Sequence, residues 1–406
     1  MATQDRGKPK EAQRKRHRKW PWIVLGVLLI LVLLAALAPV YLSSDSFKRM
    51  IQSRISESTG GTADIGNLSV GWWKGVQVSN FSFRDESGWA AVRVDEIDAQ
   101  PRLASLLGGD VALGRTVIDR PSVDLDLRKR PGSSDRSSPP PVAALAMLND
   151  IVVNDASVNI TDTSGKTVRI GQLNSTLSLR LPGQPSRIQM AMQVGEGQET
   201  ANVRAEGTVT PARDKDGWTL EGTSGDVVVE VNDLNLESLT PILALAGLEL
   251  QAQGQISADV TTAVQDGKLE TLRGTITGRN VDIGGEILKG DRLRTSELMV
   301  ETRMTRQGQT IRIDELDAQT DWANVTASGT LPLSPGSLAE MLRSDSDYAL
   351  QGQFDCNLPP LLTQMSNTFG LKEGTEITSG RASGKINTST EAGRATLVAQ
   401  TEITGL

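Results

Sequence analysis

Two spacings of apolar residues divide the chain. Before Thr62 they run together or follow a helical period; after it they recur every second residue. Trp20–Leu42 carries no charge, and Ile23–Ala38 is almost wholly Leu, Ile, Val and Ala. The stretch from Ile23 to Leu42 is long enough to cross a hydrocarbon layer of about 30 Å at about 1.5 Å per helical residue. It predicts a transmembrane anchor over 20–42, with Trp20, Trp22 and Tyr41 at headgroup level. Phe47, Met50, Ile51 and Ile55 then form one helical stripe, opened by Ser44 or Asp45 and closed by Gly60-Gly61.

From Thr62 the alternation predicts strands. Val123, Leu125 and Leu127 oppose Asp124 and Asp126, and Leu177, Leu179 and Leu181 oppose Ser178 and Arg180. Val227, Val229 and Val231 share a face, and Ile311 and Ile313 oppose Arg312 and Asp314. The expected fold is mainly β: a long curved antiparallel sheet with one apolar face and a few short helices, near 102–108, 142–148, 236–248, 337–342 and 358–369. Val92–Gln100 returns at Ile311–Gln319 with only aliphatic swaps. Gly-x-aliphatic openings recur at Gly207, Gly254, Gly274, Gly329 and Gly384. Both suggest a repeating strand unit whose copies stack into one sheet. Leu177, Leu179, Val227, Val229, Ile311 and Ile313 are the candidate lining of its apolar face.

The segments follow from these patterns. Residues 1–19 form a basic tail, 20–42 the anchor, 43–130 a first β region, 131–141 a Pro/Ser linker, and 142–406 a continuing β region expected to be incomplete at its C-terminus. The linker would divide the groove if it parted the sheet. Ala36-Leu37-Ala38 resembles a signal-peptidase site, but Pro39 directly after it and the length of the apolar run favour a retained anchor.

Charge sets the orientation. Eight basic and two acidic residues give the tail +6, which leaves −13 of the net −7 on the rest. The basic flank is expected in the cytoplasm and the remainder beyond the membrane. An acidic exported part argues against nucleic acid as a partner. Of fourteen aromatic residues, nine lie at or before Trp89, which suits an extended aliphatic architecture better than stacked globular cores.

Catalytic chemistry has little to work with. His17 is the only histidine and Cys356 the only cysteine, so Ser/His/Asp and Cys/His arrangements and the common zinc sites are not available past the anchor. Gly165-Lys166-Thr167 lacks the earlier glycine of a phosphate loop, since Ile160 stands there. Asp124 and Asp126 read as a solvated outer face. No enzyme activity, cofactor or metal is expected.

The order of elements resembles the N-terminal region of AsmA-like proteins, relatives of TamB and the bridge-type lipid-transfer proteins. It runs from the basic tail and anchor through the helix ending Thr59-Gly60-Gly61, Ile65–Ser69, Val76–Phe83, Val92–Ile97, Leu103–Gly108 and Val117–Leu125. The match covers about residues 20–127. It implies a bacterial inner-membrane protein whose bulk lies in the periplasm, where an apolar β-groove binds or conducts phospholipid and supports outer-membrane or envelope assembly. Envelope proteins are possible partners under that resemblance. The competing expectation is an anchored structural or interaction protein with a closed aliphatic core and no cargo, because a β-sandwich shows the same alternation.

Overall fold

A computed structural model describes residues 40–101, 113–130, 148–180, 183–195, 200–214, 217–245, 250–285, 290–332, 349–371, 377–391 and 394–405. The anchor up to residue 39, the Pro/Ser linker, and the helices expected near 102–108, 142–148 and 337–342 lie largely or wholly outside them. Helix α1 (Asp45–Thr59) begins where Ser44 Oγ accepts the Phe47 N–H at 3.3 Å, and stops at Gly60 with φ 70°. It lies along the first strand: Lys48 Nζ donates to the Gly66 carbonyl at 3.2 Å, and Gln52 Nε2 to Asp64 at 2.9 Å. A strand edge with unpaired backbone groups is thereby covered.

Strands β1 (Thr62–Gly71), β2 (Gly75–Arg84) and β3 (Ala90–Pro101) form an antiparallel meander. Beyond β3, β4 (Leu113–Asp119) and β5 (Ser122–Asp126) lie end to end, each pairing with part of it. Both then pair with β6 (Leu148–Thr161). Here the structure corrects the expected all-antiparallel sheet, because β6 runs parallel to β4 and β5. A parallel neighbour needs a connection that crosses from one end of the strands to the other, and the chain makes it between β5 and β6. The sheet is continuous across the Pro/Ser stretch, which therefore does not part it.

From β6 onward each strand is antiparallel to the one before. The series is β7 (Thr167–Ser178), β8 (Ser186–Val194), β9 (Ala201–Asp214), β10 (Gly217–Asn235), β11 (Leu250–Gln265) and β12 (Lys268–Gly285). It continues with β13 (Arg292–Gln307), β14 (Thr310–Thr320), β15 (Ala323–Pro332), β16 (Ala349–Asn357), β17 (Arg381–Glu391) and β18 (Arg394–Thr404). All eighteen belong to one sheet. No second sheet faces it among the described residues.

The connections differ between the two rims. One rim carries tight turns such as Trp72–Lys74 and Asp266–Gly267. The other carries the helices: a 3₁₀ turn Leu236–Ser238 leading into α2 (Leu239–Leu245), and α3 (Leu358–Gln364). Both fall within segments where apolar spacing predicts helices. Helix α2 packs on β6 and β7 on one side and on β11 on the other. Between β7 and β11 a flat sheet would span about 19 Å, at about 4.8 Å per strand. A seven-residue helix is only about 10 Å long. The sheet must therefore curl around α2, which sits in the trough.

The apolar face as candidate functional site

Residues paired across neighbouring strands point to the same side of a sheet, so the registers decide which side chains form one surface. Followed from β1, one row runs through Leu68, Val78, Ile97, Ile118 and Val153. The pairings carry it on through Ser175, Met190, Ala205 and Val229. It then passes Val260, Gly274, Thr302, Leu316 and Ala327, and leaves through Gly352, Ile386 and Ala399 on β18. The row crosses the whole sheet with only Ser175 and Thr302 polar. With β4 and β5 sharing one place, it spans about 77 Å at about 4.8 Å per strand.

A second row runs beside it. It links Ile151, Leu177, Ile188, Gly207 and Val227 to Leu272, Met304 and Ile313 through Thr262. Leu177, Val227 and Ile313 thus share one register line, and Val229 lies on the adjacent one. Ile311 is two residues from Ile313 on the same face, paired with Leu331. Leu179 falls just past the end of β7 and belongs to no pairing.

Of the candidate lining, Leu177, Leu179, Val227, Val229 and Ile311 are half-buried and Ile313 is buried at 6% exposure; on the two rows Leu68 and Ile151 are likewise buried, and Ala399 is exposed. Full burial concentrates at the helix-bearing rim. There Leu127, Ile160, Val168, Val194 and Leu234 form a cluster that receives Leu239, Ile242 and Leu245 from α2. A second joins Leu236, Ala252 and Val281; a third joins Cys356, Leu358 and Ala382 under α3. Burial pushes the Cys356 thiol up, away from the reactive thiolate. The trough is thus stoppered by helices at one rim and open along its middle rows.

The alternation itself has a device that simple period-two reading misses. In several strands the apolar positions step by two, then three, then two. Examples are Val76, Val78, Phe81 and Phe83 on β2, and Ile151, Val153, Ala156 and Val158 on β6. Val92, Val94, Ile97 and Ala99 of β3 do the same, as do Ile311, Ile313, Leu316 and Ala318 of β14. The nine-residue repeat is therefore the imprint of one kinked strand, used twice. The backbone is left-handed at the three-step in β2 (Asn80), β6 (Asp155), β7 (Gln172), β10 (Asp233) and β12 (Asn280), and at Arg120 between β4 and β5, whereas β3 and β14 make the step without a left-handed residue. Asn and Asp tolerate this conformation best among residues other than glycine.

The kinks are stitched together across the polar face. The Asp155 N–H donates to Asn174 Oδ1 at 3.1 Å and the Asp233 N–H to Ser257 Oγ at 3.0 Å. Arg120 meets Asp95 at 2.7 Å and Arg279 meets Asp233 at 2.8 Å. Asp124 accepts from Asn159 Nδ2 at 2.7 Å and is part-exposed, as the solvated-face reading expects, whereas the Asp126 side chain is only 16% exposed, caps the 3₁₀ turn Leu127–Lys129 and binds Arg128. Depressions of about 340 and 760 Å³ also lie on this polar side. Asn174, Arg204 and Glu230 help line the first, and Arg120, Asp155 and Arg169 the second. Among the described residues no group of His, Cys, Asp and Glu is placed to hold a metal ion.

A single curled sheet with one continuous apolar face defines a β-groove protein. The chain belongs to the YhdP protein family, whose model matches residues 12–341. None of the curated proteins matches it.

Proposed function

We propose that this is an inner-membrane-anchored periplasmic protein that binds or conducts phospholipid along its apolar groove, without enzymatic chemistry or a cofactor, and so supports outer-membrane or envelope assembly. The observation that carries the reading is the continuous row from Leu68 to Ala399, half-buried along most of its length on a sheet with no partner sheet among the described residues. An acyl chain laid against it gains about 25 cal/mol for each Å² of apolar surface removed from water, with no site-specific bond required. Such a surface holds a chain without fixing it at one place, which suits passage. The kinship of this family with AsmA-like proteins supports the same direction, and the uncharged run at 20–42 behind a basic tail supports the anchor. Described helices do not include one long and apolar enough to span a membrane; the anchor is read from sequence.

Photo-crosslinking tests the reading. A benzophenone side chain placed at Val229 or Leu316, on the apolar row, should give phospholipid adducts in native membranes. The same probe at Glu230, on the polar face, should not. Equal or absent adducts at the three positions would end the proposal.

A further inference from the structure

We propose that the β1–β2 turn is a membrane-docking element that seats Trp72 and Trp73 in the headgroup region of the bilayer crossed by residues 20–42; this rests on the anchor reading above. The turn spans Trp72–Lys74 between the paired Gly71 and Gly75. Trp73 is 89% exposed and Trp72 42%. Elsewhere on the same rim the described tight turns are polar, as at Asp266–Gly267 and Gly308–Gln309. An indole as exposed to water as that of Trp73 is costly, whereas at a bilayer interface it buries its ring and keeps its N–H hydrated.

The turn's position identifies the occupant. Ser43 Oγ accepts the Val70 N–H at 2.8 Å, which ties the chain directly after the apolar run to the last residues of β1. Val40 and Tyr41, 69% and 63% exposed, are therefore close to the same turn, and the Tyr41 ring contacts Phe47 with centroids 6.1 Å apart. Residues 40–42 are already helical and lead back into the uncharged stretch. A membrane holding that stretch would have its surface at Val40–Tyr41, and so at Trp72–Lys74. The exposed Lys74 adds a cation of the kind that anionic headgroups attract. The bilayer is thus the partner that chain continuity places against this patch.

The test uses the full chain reconstituted in vesicles of phosphatidylethanolamine and phosphatidylglycerol. A benzophenone residue replaces Trp73, Ile30 or Asp266 in separate variants, and lipid adducts are counted by mass spectrometry. At 89% exposure the probe at position 73 does not threaten folding. Adducts at 30 and 73, at least tenfold above those at 266, support the docking turn. Adducts at 30 with only background at 73 overturn it and leave the anchor standing. Adducts at 73 without any at 30 refute the anchor and, with it, the docking turn in the bilayer that the anchor would cross. Background at both positions, or adducts at 73 that are protein and not lipid, overturn the docking turn.

Discussion

At the scale of single residues, the groove is mostly aliphatic, and its few polar atoms are revealing. Thr302 Oγ1 and Thr116 Oγ1 are both buried, and neither has a hydrogen-bond partner in the structure. Thr302 lies on the continuous row between Gly274 and Leu316. An unsatisfied buried hydroxyl costs free energy that an isosteric methyl does not. Thr302→Val should therefore stabilise the protein by about 1 kcal/mol, seen as a higher denaturation midpoint with unchanged slope. A lower midpoint would mean that the hydroxyl has a partner after all. Gly329 is the converse case. Its φ is 140°, and a Cβ there would run into the carbonyl oxygen of Ala349. Gly329→Val should cost at least about 2 kcal/mol through backbone strain and displacement of β16. Much of this scale was legible: Leu177, Val227, Val229, Ile311 and Ile313 all fall on one face. What escaped was the three-residue step. Asn80, Asp155 and Asp233 belong to residue types that mark turns in sequence, yet here they kink strands that continue beyond them.

At the scale of elements, the ends of the strands are held differently on the two rims. The helix-bearing rim uses carboxylates as staples. Asp162 accepts from the Ser164 N–H and Lys166 N–H, both at 2.9 Å; Asp291 accepts from the Asn367 and Thr368 N–H groups at 2.9 and 2.7 Å. Asp321 accepts from Ser296 Oγ at 2.9 Å and from Thr295 Oγ1. In each, burial pushes the carboxyl up, but the hydrogen bonds together outweigh it and hold the group below the usual carboxylate range. A folded-state value below the unfolded one stabilises above the unfolded value of about 3.9. That stabilisation is lost as pH falls through the folded value. Denaturation at fixed ionic strength should thus show their contribution intact between pH 7 and 5 and falling below about pH 4. Replacing all three by Asn should flatten that acid limb; an unchanged limb would place the acid sensitivity elsewhere. Helix α1 is legible in the sequence, with Ser44 or Asp45 as its cap and Gly60-Gly61 as its stop, because caps are local signals. The parallel join of β5 to β6 was not, since pairing partners across a long connection leave no local trace.

For the whole molecule, the issue is whether the apolar face serves a core or a passage. Two valines of the same face decide it. Val281 is 1% exposed, packed with Leu236 and Ala252 beneath the helix-bearing rim. Val229 lies in the middle of the continuous row, half-buried on the open trough. A carboxylate at 281 would be an unpaired charge in a closed cluster, so Val281→Asp should remove the cooperative unfolding transition or lower its midpoint severely. A carboxylate at 229 keeps part of its water in an open trough. Val229→Asp should shift the midpoint far less while setting a charge in the path of an acyl chain, so lipid adducts beyond it, at Leu316, should drop at least tenfold if lipid enters from the β1 side. Val229→Thr, nearly isosteric and uncharged, should retain most of them. If Val229→Asp instead unfolds the protein as thoroughly as Val281→Asp, the middle of the sheet is a closed core and conduction along it is excluded. If it leaves both the midpoint and the adducts at Leu316 unchanged, the row is open but is not the route that lipid takes.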